Sequence, residues 1–154
     1  NGVVVDPGFV ATGARLLAGT KRRDVLTGNV LANTINGRRG RDTLQGGLGS
    51  DLLVGGSGSD RYIYLDPFDS TPSQADVVKF RSNDLFIFSQ FDGNSVLDGR
   101  QALNFIEGVQ FSGVAGELRA TRSSLQADRD GDGIADFWVI LKGGNIPLVS
   151  NFQL

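Results

Sequence analysis

The chain has 154 residues, a formal net charge of -2, 22 glycines and 40% apolar residues, a composition that suits one turn-rich, mostly β domain. It contains neither cysteine nor histidine, which excludes disulfides, histidine-dependent catalytic triads and histidine-ligated zinc. The near-neutral charge favours no nucleic-acid partner, and no apolar run approaches the roughly 20 residues that a membrane-spanning helix needs.

Residues 1–18 contain a short strand-like run, Val3 to Val5, then an Asp-Pro-Gly turn and a second apolar stretch. The open end of a repeat array exposes its core and must be covered. We therefore interpret residues 1–18 as a lead-in that caps the first coil; the alternative is the tail of an upstream domain. The chain begins with Asn1 and has no methionine, so we expect a fragment or processed part of a longer protein.

Residues 19–63 repeat five times in units of nine: GTKRRDVLT, GNVLANTIN, GRRGRDTLQ, GGLGSDLLV and GGSGSDRYI. Glycine opens each unit, an aspartate or asparagine stands sixth, and a large apolar residue stands eighth. Glycine permits the positive φ of a tight turn, and the second half predicts a short strand with its eighth residue pointing inward. Two units then form one coil of a flattened solenoid.

This arrangement places the sixth residues on two opposite edges. Units one, three and five contribute Asp24, Asp42 and Asp60 to what we call the odd edge, and units two and four contribute Asn33 and Asp51 to the even edge. Stacked coils lie about 4.8 Å apart, where two carboxylates repel by roughly 3 kcal/mol at an effective dielectric of about 20. A cation is therefore expected between coils, and oxygen ligands without histidine or cysteine select Ca2+ over Zn2+ or Mg2+.

The pattern GGxGxDxUx resembles the calcium-binding nonapeptide repeat of RTX (repeats-in-toxin) proteins. We predict several Ca2+ ions bound by the carboxylates of Asp24, Asp42, Asp51 and Asp60. Turn carbonyls that we predict as further ligands are those of Gly37, Arg39, Gly46, Leu48, Gly55, Ser57 and Gly58. Units three to five keep most of the consensus and are expected to form the best sites, whereas unit one has Thr20 and Arg22 at glycine positions. Asp69 and Asp76, just after the repeats, are candidates to complete the last sites; the alternative is that both are surface turn carboxylates.

Six basic residues lie in the turns of units one and three and form what we call the basic strip: Lys21, Arg22, Arg23, Arg38, Arg39 and Arg41. Because rows of fixed positive charge concentrate polyanions, the strip is a candidate site for an acidic polysaccharide or lipopolysaccharide. The alternative is a solvated face in which guanidinium groups partly replace calcium between degenerate coils.

Phenylalanine is absent between Val10 and Pro67, and nine phenylalanines follow. A flat two-sheet coil holds a thin aliphatic layer, whereas a β-sandwich buries rings, so we predict a β-sandwich for residues 66–154. The segments DSTPSQADVVKFRSNDLFIF, FIEGVQFSGVAGELR and DRDGDGIADFWVIL resemble the C-terminal domain of serralysin-type secreted metallopeptidases. This resemblance implies an all-β fold, with a calcium-binding parallel β-roll over 19–65 merged with a C-terminal β-sandwich. The peptidase motif HExxHxxGxxH cannot occur without histidine, so the resemblance carries over the accessory domain and not the proteolysis. Carboxylates could pair as acid and base, as in glycosidases, but nearly every aspartate here already has a calcium or turn role, so we expect no active site.

Four aspartates, Asp128, Asp130, Asp132 and Asp136, match positions one, three, five and nine of an EF-hand calcium loop, with the Ile134 carbonyl at position seven. The bidentate glutamate of the twelfth position and the flanking helices are missing. We predict a calcium-bound hairpin loop; the alternative is a polar Asp-Gly turn between two strands.

In the resembled family the last residues are an uncleaved signal for type I export, usually an acidic residue followed by apolar ones. Residues 150–154 keep the apolar spacing but have Asn151 in place of the acid, so the alternative is a closing edge strand. Taken together, the sequence predicts a secreted, non-catalytic module that folds on Ca2+ binding outside the cell. It would support type I export and the stability of an upstream domain; binding of an acidic polysaccharide through the basic strip is the alternative function.

Overall fold

The computed structural model describes residues 3–4, 9–10, 15–107 and 110–154. In chain order its strands are β1 (Val3–Val4), β2 (Phe9–Val10), β3 (Leu16–Ala18), β4 (Val25–Thr27), β5 (Thr34–Asn36), β6 (Thr43–Gln45), β7 (Leu52–Val54), β8 (Arg61–Ile63), β9 (Asp76–Lys79), β10 (Leu85–Ile87), β11 (Asn104–Ile106), β12 (Glu117–Ala120), β13 (Ser124–Asp128), β14 (Phe137–Lys142) and β15 (Phe152–Gln153). Two single-turn 3-10 helices, Pro67–Asp69 and Val149–Asn151, lie among them. In the part of the chain that the structure describes, no helix has the length and apolar character needed to cross a membrane.

The strands form two sheets. Sheet A has the order β1-β3-β5-β7-β9-β14-β13-β12-β11, and sheet B has the order β15-β10-β8-β6-β4-β2. Successive strands of each sheet are parallel from β1 to β14 in sheet A and throughout sheet B. Within the repeats the register advances by 18 residues, as in the pairing of Leu26 with Leu44. Two nonapeptides therefore make one coil, which confirms the parallel β-roll.

The eighth residue of every unit points into the space between the sheets. Leu26, Leu44 and Tyr62 stack in sheet B, and Ile35 and Leu53 stack in sheet A, all with 0% exposure. Each strand contributes one such residue because side chains alternate along a strand and only one of three points inward. The core of the roll is thus one thin layer of large apolar side chains.

The roll continues beyond residue 65. Strand β9 pairs with β7 and β10 pairs with β8, which places Val78 on the Leu53 column and Phe86 on the Tyr62 column. Strand β14 then extends sheet A and β15 extends sheet B. Beyond β14, sheet A continues with β13 and β12, each antiparallel to the strand before it, and ends in β11, which is parallel to β12. The β-sandwich predicted for residues 66–154, merged with the roll, is therefore not confirmed.

Phenylalanine does gather in the second half, as its distribution predicts. The Phe137 ring meets Tyr64, Phe88 and Phe91 edge-to-face, with centroids 5.0, 5.6 and 5.2 Å away. These rings belong to the same continuous core as the leucine columns of the repeats. The two sheets of the roll therefore enclose the aromatic cluster.

The ends of the chain add edge strands. β1 pairs with β3, which precedes the repeats, and β2 pairs with the repeat strand β4. Most of the predicted cap over residues 1–18 lies outside the described residues. At the other end, Phe152 pairs with Phe86 across β15 and β10. The Asn151 side chain donates hydrogen bonds to the carbonyls of Ser82 and Asp84, at 2.9 and 2.8 Å, and fixes this last strand.

Candidate metal centre

Two ladders of buried acidic side chains run along the edges of the roll. On the odd edge, Oδ1 of Asp42 accepts the backbone N–H of Asp24, and Oδ1 of Asp60 accepts that of Asp42, both at 2.9 Å. On the even edge, Oδ1 of Asp51 accepts the backbone N–H of Asn33 at 2.7 Å. The exposure of these five residues is at most 2%. The structure thus brings the predicted sixth-position residues together in the two predicted rows.

Each ladder extends one step past the repeats. Asp84 accepts the backbone N–H of Asp60 at 3.0 Å, and Asp76 accepts that of Asp51 at 2.8 Å. Asp76 was a predicted ligand, whereas Asp84 was missed. One signal in the sequence could have identified both residues. As in the repeats, each aspartate stands two residues before an inward apolar residue, Val78 or Phe86, although the glycines are absent.

Three carboxylates in the middle of the ladders each have one oxygen without a partner. Oδ2 of Asp42, Asp51 and Asp60 is buried and accepts no hydrogen bond among the described residues. A buried, unsatisfied charged oxygen costs several kcal/mol unless a cation or proton compensates it. These three oxygens therefore identify the places where the fold lacks a positive charge.

We call a sixth-position carboxylate open when one of its oxygens accepts no hydrogen bond among the described residues. The backbone φ of the second residue of each unit decides whether the carboxylate is open. In units three, four and five this residue has positive φ, at 75° for Arg38, 87° for Gly47 and 103° for Gly56. In units one and two it does not, and its N–H donates to the sixth side chain of its own unit. Thr20 donates to Oδ2 of Asp24 at 2.7 Å, and Asn29 donates to Oδ1 of Asn33 at 2.8 Å. Asp24 thus lies in the predicted row, but its oxygens are already hydrogen-bonded to Thr20.

At Asp42 a backbone carbonyl from the next coil lies close to the open carboxylate. A Cβ added to Gly37 would lie 2.7 Å from the carbonyl oxygen of Gly55 and would collide with Oδ2 of Asp42. The same collision with the unit's own aspartate occurs at Gly46 and Gly55. Glycine is therefore required at the first position, because a side chain would collide with the carboxylate of its own unit and, at Gly37, would also fill the space between two oxygens.

The other predicted carbonyl ligands lie in the same turns. The Ser57 carbonyl accepts the N–H of Gly40 at 2.9 Å, and the Gly58 carbonyl accepts a hydrogen bond from the Asn83 amide. Arg39 and Leu48 are exposed third residues of their turns. Each carbonyl keeps a second lone pair, so these contacts do not prevent it from binding a cation as well.

Burial raises the pKa of the ladder carboxyls. Desolvation, partly offset by backbone hydrogen bonds, raises the pKa of Asp42, Asp51 and Asp84 to about 6. The pKa of Asp76 rises to about 8, first through burial and then through the charges of Asp51 and Asp69. Burial raises the pKa of Asp60 in the same direction. Without a cation, the ladders therefore hold their negative charge against a clear free-energy cost.

Asp69 and Asp76 close the even edge. Oδ2 of Asp69 accepts the N–H groups of Leu65 and Asp66, at 2.9 and 3.1 Å, and Oδ2 of Asp76 accepts the Tyr64 hydroxyl at 3.1 Å. Asp69 is 7% exposed and Asp76 is fully buried, so neither is a surface turn carboxylate. The charge of Asp69 helps to raise the pKa of both Asp51 and Asp76, which makes these three residues the most anionic part of the even edge.

A second acidic group lies in the loop between β13 and β14. Oxygens of Asp128, Asp130 and Asp136 lie within 4.8 Å of one another. Asp128 is buried and accepts the N–H groups of Gly131 and Gly133 at 2.7 and 2.9 Å. Asp132 is outside this group, and its Oδ1 accepts the N–H of Ile134 at 2.7 Å. The structure thus brings together three of the four predicted acids.

The basic strip lies on the odd edge, with all six side chains exposed. Arg23 and Arg41, fifth residues of adjacent odd turns, line one groove of about 160 Å³ together with Arg61 on the outer face of sheet B. Among the described residues, none of these three arginines forms an ion pair within 4.0 Å. Arg61 was missed by sequence reasoning because it lies in a strand and only the sheet register brings it beside the turns.

Comparison with known proteins identifies the repeats. Residues 27–62 match the sequence model of the RTX calcium-binding nonapeptide repeat in four copies. No curated protein matches the chain. The fold is similar to the solution structure of the AlgE6R3 subunit of the Azotobacter vinelandii mannuronan C5-epimerase, with a TM-score of 0.59 and 24% identity. That match covers 97% of this chain and 86% of the subunit, and at this identity it concerns the fold alone. The repeats within residues 27–62 are thus RTX calcium-binding nonapeptide repeats.

Proposed function

We propose that this chain is a non-catalytic module of a secreted protein that folds when it binds several Ca2+ ions outside the cell. The observation that carries the proposal is the set of three buried Oδ2 atoms, on Asp42, Asp51 and Asp60, that have no hydrogen-bond partner among the described residues. Carboxylate and carbonyl oxygens are the donors that Ca2+ prefers, and its flexible coordination suits oxygens supplied by stacked turns. These residues therefore fit the ion that RTX repeats bind.

The proposed sites use the open carboxylates first. Asp42, Asp51 and Asp60 would each contribute one free oxygen, joined by the carbonyls of the first-position glycines such as Gly55. When bound, the ion supplies the positive charge that the buried carboxylates lack. Asp69 and Asp76 would complete the even edge, and the closed turns of Asp24 and Asn33 would contribute least.

The loop of Asp128, Asp130 and Asp136 is the proposed additional site. Its backbone N–H groups already hold the Asp128 carboxylate in place, so little loop ordering would remain to be done on binding. Ile134 would contribute its carbonyl as in an EF-hand loop, whereas Asp132 points its oxygen at the backbone instead.

Coupling between calcium and folding gives the module its role. Ligand that binds only the folded state stabilises it by about 2.7 kcal/mol per site at 100 times the dissociation constant. Where free calcium is low, the repelling ladders would keep the roll open and suited to passage through a type I exporter. Outside the cell, calcium would close it and stabilise the domain that precedes it.

Removal of calcium tests this function. Far-ultraviolet circular dichroism should show loss of β structure in metal-free buffer and full recovery on adding Ca2+, and titration calorimetry should give at least three sites. Mg2+ at the same concentration should not restore the fold, because its octahedral preference does not match these oxygens. Unchanged β content after complete calcium removal would refute the proposal.

A second candidate function is binding of an acidic polysaccharide through the basic strip. It is favoured by the groove in which Arg23, Arg41 and Arg61 lie together without an acidic partner among the described residues. The subunit with the similar fold belongs to a mannuronan C5-epimerase, which makes mannuronan the first probe. Replacing all three arginines by glutamine should weaken binding at low salt, whereas the exposed Arg100→Gln and Arg122→Gln variants should bind like the wild type. Equal binding by all variants would exclude the groove.

A further inference from the structure

The odd edge carries a second group of cations that the repeat pattern does not include. Lys79 ends β9 and Lys142 ends β14, and the two residues are direct register partners on neighbouring parallel strands. Arg81 follows two residues after Lys79. All three side chains are exposed on the sheet A side of the odd edge, whereas the groove of Arg23, Arg41 and Arg61 lies on the sheet B side.

These cations line a cleft at the carboxyl ends of β7, β9 and β14. The cleft has a volume of about 510 Å³, within the range of small-ligand sites, and contains no acidic side chain. Val54 contributes an apolar surface to it, and Gly143 keeps the backbone close, since a Cβ there would collide with the Phe80 carbonyl. The cleft thus combines an apolar surface with three cationic side chains.

Two like charges on adjacent strands destabilise a sheet unless something compensates them. Among the described residues, no carboxylate lies within 4.0 Å of the cationic groups of Lys79, Arg81 or Lys142. Arg81 is close enough to lower the pKa of Asp60 and Asp84, but it forms no ion pair with either. Within the described residues, the Lys79–Lys142 pair therefore has no carboxylate that compensates its charge.

We infer that this cleft binds the oxyanion, carboxylate or sulfate, of an acidic sugar unit. Lys79 and Lys142 would contact the anion from two neighbouring strands, Arg81 would add a planar pair of donors, and the Val54 surface would accept the C–H face of a sugar ring. The site extends the second candidate function to a surface that includes no residue of the basic strip, and it does not depend on that strip for its test.

The test uses the calcium-loaded chain at low salt and a uronic acid trisaccharide, too short to be crosslinked by calcium. Binding is measured by titration calorimetry and by amide shifts in a two-dimensional NMR spectrum. We expect amide shifts at Gly56 and Gly143. Affinity should fall about tenfold for each lysine replaced, and so about a hundredfold in K79Q/K142Q. The control variant Arg100→Gln should bind like the wild type, and the neutral trisaccharide maltotriose should not bind.

Four results would overturn the inference: no binding by the wild type, unchanged affinity in K79Q/K142Q, shifts confined to residues outside the cleft, or equal affinity for inorganic sulfate. Loss of binding in R23Q/R41Q/R61Q with unchanged binding in K79Q/K142Q would place the ligand in the groove of Arg23, Arg41 and Arg61 instead. Circular dichroism with and without calcium separates either outcome from a failure of the calcium-dependent fold.

Discussion

The pair Asp42→Asn and Asp24→Asn tests whether the open oxygen, and not the aspartate as such, makes a calcium site. Both residues are sixth in their units, lie in adjacent coils of the odd edge and are buried. They differ in that Oδ2 of Asp42 has no partner in the part of the chain that the structure describes, whereas Oδ2 of Asp24 accepts the Thr20 N–H at 2.7 Å. Only the first substitution should therefore remove a calcium ion.

The expected magnitude follows from binding linkage. At free calcium 100 times the dissociation constant, losing one site costs about 2.7 kcal/mol, which for a domain of this size lowers Tm by about 5–11 °C. Asp24→Asn should cost less than about 1 kcal/mol, because the amide oxygen still accepts the Thr20 hydrogen bond. Differential scanning calorimetry in excess calcium measures both, and titration calorimetry counts the sites.

In metal-free buffer Asp42→Asn should be more stable than the wild type, which is the reverse of the order expected in excess calcium. Burial raises the pKa of Asp42 from 3.8 to about 6, which corresponds to about 3 kcal/mol against the charged folded state at pH 8. The neutral amide removes that cost, so Asp42→Asn should retain more far-ultraviolet β signal than the wild type when calcium is absent. Equal losses of Tm for Asp42→Asn and Asp24→Asn in calcium would refute this reasoning, as would equal losses with and without calcium.

Three further predictions concern the turn, the pH dependence and the loop. Arg38→Gly should stabilise the protein by about 1 kcal/mol in thermal unfolding, because Arg38 holds a φ of 75° that glycine adopts without strain, and Arg39→Gly should give no such gain. The pKa of Asp76 is raised to about 8 and that of Asp51 to about 6, so the folded metal-free chain binds protons more tightly than the unfolded one. Its stability should therefore increase as pH falls from 8 to 5, while calcium affinity decreases; a metal-free protein that is most stable at pH 8 would contradict this. Asp130→Asn should lower the calcium count by one and Asp132→Asn should not, since only the former lies in the loop's acidic group; equal counts would exclude that site.

The spacing of glycine and aspartate was enough to predict the roll. It located the strands, the inward eighth residues and the two edges, because a nine-residue period leaves each side chain only one environment in the coil. Asp84 was missed because its turn, KFRSND, keeps the aspartate but none of the glycines. The sandwich, predicted from phenylalanine content and from the family resemblance, is not confirmed, and Phe86 and Phe137 are buried between sheets that continue from the repeats. Ring content indicates the thickness of a core but not which sheets enclose it.

The sixth residue alone does not determine where the ladders are open. Unit one has the aspartate and is closed, whereas unit three has an arginine where the consensus has glycine and is open. The second residue decides, because a negative φ turns its N–H toward the sixth side chain and a positive φ turns it away. The same closure occurs at the far ends, where Tyr64 and the Arg81 backbone N–H satisfy Asp76 and Asp84. The residues that satisfy the terminal carboxylates therefore confine the need for calcium to the three middle turns, so a change at position two should move that boundary without altering a single aspartate.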